Sequence, residues 1–190
     1  MSKILRYAAA GVAMASLGVA SAASAATTDS ADVTATILSA LSVDVDPTAD
    51  TLNFGTIADG GITANQTISV GTDGSRGTCP TGLICGGTTA APLFNVTGLG
   101  GLAVDVAFVN TSETLSYDTV ANGGTAPAGF ASTMTVNNFQ TNAVNGANSN
   151  QLLLSAGGAG SFSVGGDLIV QPNMAPGVYS GTLTVSVAYN

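Results

Sequence analysis

Histidine and tryptophan are missing from these 190 residues, and cations nearly so: Lys3, Arg6 and Arg76 stand against eleven carboxylates. Without histidine, the commonest general base and the commonest metal ligand are gone. No nucleophile, base and orienting group can be assembled, so the sequence reads as a non-enzyme with no metal and no cofactor. Three cations leave a phosphate backbone almost nothing to bind, which excludes nucleic acid as a partner. Charged residues make up 7% of the chain, against about a quarter in an ordinary soluble domain. Low charge and 25 glycines also occur in disordered chains, but those combine low hydrophobicity with high net charge. Here 45% of the residues are hydrophobic, so the chain reads as folded.

What is present begins with a leader. Lys3 and Arg6 precede an apolar, alanine-rich run, which ends in Ala23-Ser24-Ala25, the small-residue pattern of a signal-peptide cleavage site. Cleavage between Ala25 and Ala26 is expected. The run holds Ala, Gly and Ser in place of Leu and Ile, and no cation follows to stop transfer, so no membrane span is expected once residues 1–25 are removed. The mature chain then keeps one cation, Arg76, against all eleven acids, a formal net charge of −10. In an exported protein the two cysteines of Cys79-Pro80-Thr81-Gly82-Leu83-Ile84-Cys85 read as a disulfide closing a small loop. A zinc site would need more ligands than this pair supplies.

No window shows a helical period, whereas several alternate strictly between apolar and polar residues, the mark of strands with one buried face. Val33, Ala35 and Ile37 alternate with Thr34 and Thr36; Leu41, Val43 and Val45 alternate with Ser42 and Asp44. Further strands are expected over 52–57, 67–70, 93–97, 104–109, 115–117, 134–139, 152–155, 160–164 and 168–170. Glycine pairs, as in Gly60-Gly61 and Gly165-Gly166, read as turns. Residues 71–91 read as a long loop or irregular hairpin, and the Asn-rich 140–151 as a polar loop with nothing buried. Tyr179, Gly181, Leu183, Val185, Val187 and Tyr189 occupy one face of a continuous final strand. Short strands at this spacing argue an all-β sandwich. Thr and Ser at outward positions suit a pleated surface, and such faces lack the Lys and Glu that keep sheet edges from pairing with other chains. Asp44, Asp46, Thr48 and Asp50 have the spacing of a calcium loop's first ligands. Ala49 stands where such a loop needs glycine and Gly55 where it needs glutamate, so a solvated acidic turn is expected.

Gly177, fourteenth from the end of this sequence, and Tyr189, last but one, bracket alternating apolar residues. This arrangement resembles the C-terminal signature of chaperone-usher pilus subunits. Leu52-Asn53-Phe54-Gly55-Thr56-Ile57, Phe94-Asn95-Val96-Thr97-Gly98, Met134-Thr135-Val136-Asn137-Asn138-Phe139, Val164-Gly165-Gly166-Asp167-Leu168 and Ala175-Pro176-Gly177-Val178-Tyr179-Ser180-Gly181 resemble the bacterial family known as domain of unknown function 4402. The pilin resemblance implies an immunoglobulin-like sandwich lacking its last strand. A periplasmic chaperone strand would complete it first, and the N-terminal extension of the next subunit would replace that strand at the usher. Residues 26–38 would be the donor, with Val33, Ala35 and Ile37 as insertion residues, ahead of a domain over 39–190. The inward face of Leu183, Val185, Val187 and Tyr189 would line the groove. The protein would pass the inner membrane into the periplasm and reach the cell surface. The cysteines, six apart, depart from the familiar pilin pattern, in which they join two distant strands.

Two readings of residues 33–37 stay open, a donor for another subunit or the domain's own first strand. Two functions correspond to them. One is a fibre subunit joined to like subunits by strand addition. The other is a self-complemented secreted or outer-surface binding module with ligand contacts in the loops 71–91 and 140–151, since binding residues tend to lie on loops over a rigid scaffold.

Overall fold

A computed structural model describes residues 29–32 and 34–190. Ala25, Ala26 and Val33 lie outside the described residues. Asp29–Asp32 and Thr34–Thr36, which precede the folded unit Ile37–Asn190, are in neither helix nor strand.

Within the folded unit every regular element is a strand. In chain order they are β1 (Ser42–Val45), β2 (Thr56–Asp59), β3 (Gln66–Val70), β4 (Leu83–Gly86), β5 (Leu93–Thr97), β6 (Ala103–Phe108) and β7 (Ser112–Tyr117). There follow β8 (Thr133–Thr141), β9 (Val144–Asn145), β10 (Asn148–Ser149), β11 (Gln151–Leu153), β12 (Ala159–Val170), β13 (Tyr179–Ser180) and β14 (Val185–Tyr189). The large sheet runs β1-β5-β12-β8-β7-β13, with β3 also on β12. A three-stranded sheet, β11-β6-β14, packs on part of it, and the two-stranded sheet β2-β4 stands apart. This is the expected all-β sandwich.

Alternation decides which side chains go inside, because successive residues of a strand point to opposite faces. Val104 and Val106 of β6 are buried while Asp105 between them is exposed. Those valines pack with Phe94, Val96, Phe162 and Val164 in one core between the two sheets. A second core gathers Phe54, Ile68, Val70, Val136 and Leu168 beneath the β2-β4 pair; Leu83 and Cys85 of β4, and Cys79 ahead of it, pack there too. Cys79 and Cys85 are disulfide-bonded, as expected. Arg76 Nη1 donates to the Gly86 carbonyl at 2.8 Å, tying the turn after β3 to the end of β4.

β12 belongs to both cores. Its first half pairs with β5 and its second half with β3, while β8 follows it past a register shift between Gly165 and Asp167. The pair Gly165-Gly166, expected as a turn, is therefore a bulge inside a twelve-residue strand. The reason is steric: a Cβ on Gly165 would overlap the Val70 carbonyl oxygen and lie 2.8 Å from the Gly71 carbonyl carbon.

Other expectations are corrected at the same level of detail. The strand expected over 52–57 lies at Thr56–Asp59. The stretch 140–151 contains β9 and β10, and it buries Ala143 and Gln151. Gln151, 7% exposed, donates from Nε2 to Asp105 Oδ1 at 3.0 Å and accepts from the side-chain amides of Asn145 and Asn148. The loop is thus folded around a buried amide whose polar atoms are satisfied, which makes burial tolerable. The final strand is not continuous either. β13 pairs with β7, Gly181–Thr184 cross to the other sheet, and β14 pairs with β6. Gly181 permits the crossing, since a Cβ there would meet Leu115 Cδ2 at 2.7 Å and the Thr114 carbonyl oxygen at 2.9 Å.

The turns are held by aspartates whose carboxylates accept nearby hydrogen bonds. Backbone N–H groups of Ile62 and Gly61 donate to Asp59, and those of Ala121 and Val120 to Asp118. At Asp46 and Asp73 the first donor is a hydroxyl, from Thr48 and Ser75 respectively, backed by the same residue's N–H. These bonds favour the ionised form and hold all four carboxyls below the usual aspartate range. The unfolded chain then binds more protons, so the contribution is present above the ordinary aspartate value and is lost as pH falls through the folded values. Melting temperature should accordingly stay flat from neutrality to about pH 5 and fall below about pH 4. Asp118→Asn should reduce that acid slope in melts followed by circular dichroism. A slope unchanged in the variant would show that this turn contributes nothing to it.

Candidate functional site

β14 is the edge of the smaller sheet. Its hydrogen bonds run to β6, in the register Val185↔Phe108 to Tyr189↔Val104. Among the described residues, no strand pairs with its other edge. Val185, Val187 and Tyr189, with Leu183 ahead of the strand, face inward but stay half-buried, whereas Ser186 and Ala188 are exposed. A strand with one face packed on a core and one ladder of N–H and C=O groups unpaired is a template for another strand.

At the head of β14 the two cores part and leave a cleft of about 330 Å³. Phe54, Phe94, Leu115, Val136, Phe139 and Leu183 form its apolar wall. Two carboxylates also line it, Asp50 and Glu113. Glu113 lies on β7 in phase with Leu115 and Tyr117, the inward positions of that strand. Its Oε1 accepts from Asn110 Nδ2 at 2.8 Å, and Asp50 Oδ1 accepts from Thr51 Oγ1 at 2.8 Å.

The other end of β14 is anchored. The Tyr189 hydroxyl donates to the Ser39 carbonyl at 3.1 Å and accepts from the Leu99 N–H at 2.6 Å. A Cβ on Gly98 would come 2.5 Å from that hydroxyl, so glycine is needed for the approach. Gly177 and Tyr179 lie before the crossing and serve the large sheet. The Asn122 amide bridges the Val178 N–H and carbonyl, and a Cβ on Gly177 would collide with Tyr117 and Asn122. The Tyr179 hydroxyl donates to the Ala175 carbonyl at 2.8 Å, and the ring meets Tyr117 edge-on. Burial, with Tyr117 beside it, pushes the Tyr179 phenol above its ordinary value.

Of the expected donor residues, Val33 is outside the described residues, and Ala35 and Ile37 are exposed and in no strand, Ile37 at 93%. The groove residues Leu183, Val185, Val187 and Tyr189 are brought together on one line with the cleft. Sequence reasoning missed Glu113, and it treated Asp50 only as part of an acidic turn. The available signal was Glu113's phase, one step of two from Leu115, which places a carboxylate on the inward face. Within the acidic stretch 44–50, Asp46 accepts from Thr48 and Asn95, and Asp44 on β1 sits opposite Asn95 of β5, whereas Asp50 reaches the cleft. Among the described residues no three His, Cys, Asp or Glu are grouped to hold a metal, and no helix is long and apolar enough to cross a membrane.

The model of a family described as a domain of unknown function, DUF4402, matches residues 43–189. The match runs from the second residue of β1 to the last residue of β14 and so contains the buried residues of both cores, the cleft and the open edge. No curated protein and no solved structure matches the chain.

Proposed function

The chain belongs to the DUF4402 family, and we propose that it is a structural subunit of a bacterial surface fibre, joined to like subunits by strand addition. The observation that carries this reading is the outer edge of β14, left without a strand among the described residues and continuous with a largely apolar cleft. In strand addition the backbone ladder supplies generic affinity, and alternate side chains entering pockets supply register. The donor is residues 26–38 of a neighbouring copy, whose Val33, Ala35 and Ile37 repeat every second residue, as β14's inward face does. Export, a periplasmic chaperone that covers the edge before assembly, and an usher belong to the same proposal.

The mature chain from Ala26 should form fibres visible by electron microscopy, or be recovered with a partner's strand on β14. Removal of residues 26–38 should leave a folded domain that no longer polymerises. Fibres from the truncated chain, or an intact chain that elutes as a monomer at every concentration, would overturn the proposal.

A further inference from the structure

We propose that the cleft at the head of β14 takes a cationic side chain, lysine or arginine, presented on an extended strand of a protein other than this one. The inference rests on reading β14 as a strand acceptor and concerns the protein that covers the edge before another copy does.

Three observations lead there. Asp50 and Glu113 line a cleft whose wall is otherwise largely apolar, and their hydrogen-bond donors are neutral, Thr51 and Asn110. The cleft also gathers the rings of Phe54, Phe94 and Phe139. A long apolar stem ending in a cation fits such a site: the stem covers hydrocarbon, the head pairs with carboxylate, and ring faces attract the charge. Pairing at the edge of an apolar wall is also stronger than in bulk water, because the effective dielectric is lower.

The third observation concerns the source of the cation. Arg76, the one cation of the mature chain, donates to the Gly86 carbonyl at the end of β4. Residues 26–38, the donor another copy would offer, contain Asp29 and Asp32 and no cation. A second copy therefore leaves both carboxylates unmatched, whereas a basic strand from a different protein matches them. Charge complementarity of this kind chooses among partners more than it adds affinity.

The test uses the full mature chain and a short labelled peptide of alternating valine and threonine with one central lysine. Its norleucine twin serves as the uncharged control. Fluorescence anisotropy should show the lysine peptide binding on the order of tenfold tighter than the norleucine peptide at low salt, and the gap should close at high salt. Glu113→Gln with Asp50→Asn should abolish the gap, while Asp73→Asn, in the turn after β3, should preserve it. Equal, salt-insensitive binding of both peptides would overturn this inference and leave the acceptor edge standing. Failure of every peptide to bind would overturn the acceptor reading with it.

Discussion

Phe162→Ala should cost the domain about 3–5 kcal/mol, the range for emptying a large aromatic from a packed core. Phe162 is 1% exposed and stacks on Phe94 with ring centroids 5.3 Å apart. It belongs to the half of β12 that pairs with β5, in the core where Val104 and Val106 of the small sheet meet the large one. Removing it takes away the transfer energy of the ring and leaves a cavity that two hydrogen-bonded sheets cannot close by collapsing. Against a typical domain stability of about 5–15 kcal/mol, that loss is a large fraction of the whole. Urea unfolding followed by far-ultraviolet circular dichroism should show the midpoint move sharply down. Val109→Ala, at an exposed position just beyond β6, should shift it by about 0.5 kcal/mol or less. A Phe162 variant within about 1 kcal/mol of the parent would mean that the two sheets do not share this core.

Gly165→Val is expected to be comparably severe for the opposite reason. Overpacking a core costs about 1–3 kcal/mol where side chains can shift aside. At Gly165 the obstacles are backbone atoms, the Val70 carbonyl and the Gly71–Thr72 peptide, which have no rotamer to change. Relief would require β3 to leave β12 or the bulge to open, and either releases the second core from the first. Gly166→Ala offers a comparison, since its Cβ would meet a ring carbon of Phe139 at 3.1 Å, where a side chain can yield. Its effect should be smaller, measured in the same urea titration. Equal midpoints for the two variants would show that the bulge tolerates a side chain and that the bend has another cause.

Strands with one buried face were legible because burial writes a period of two into the sequence, as along Ala103–Phe108 and Val185–Tyr189. The disulfide was legible from spacing and expected export. The bulge at Gly165-Gly166 was not, because a glycine pair looks alike in a turn and in a strand squeezed by a neighbour. The neighbour, Val70, lies far back along the chain. Gln151 shows the same limit, since its burial depends on Asp105, Asn145 and Asn148 closing around it. The crossing at Gly181–Thr184 was hidden because the every-second-residue pattern of the sequence, Tyr179, Gly181 and Leu183, runs on through it to Tyr189. Of the candidate site, the inward line of Leu183, Val185, Val187 and Tyr189 was readable and the cleft was not. Asp50 lies in the loop between β1 and β2 and Glu113 on β7, and each alone looks like an ordinary surface acid.

The pairing of β1 with β5 and of β14 with β6 also sets a clock. Val45 must find Phe94, and Tyr189 must find Val104, before either sheet of the first core is whole. Neither contact is local, and chains dominated by such pairings fold over milliseconds to seconds, where helical bundles need microseconds to milliseconds. During that interval Phe94, Val96 and the inward face of β6 are in water beside unpaired ladders, in a chain whose faces carry almost no lysine to discourage mispairing. The time needed to bring residue 189 back to residue 104 is also the time in which aggregation competes. A partner that holds β14 early would act first as a rate device, shortening the most dangerous stage of this chain's life.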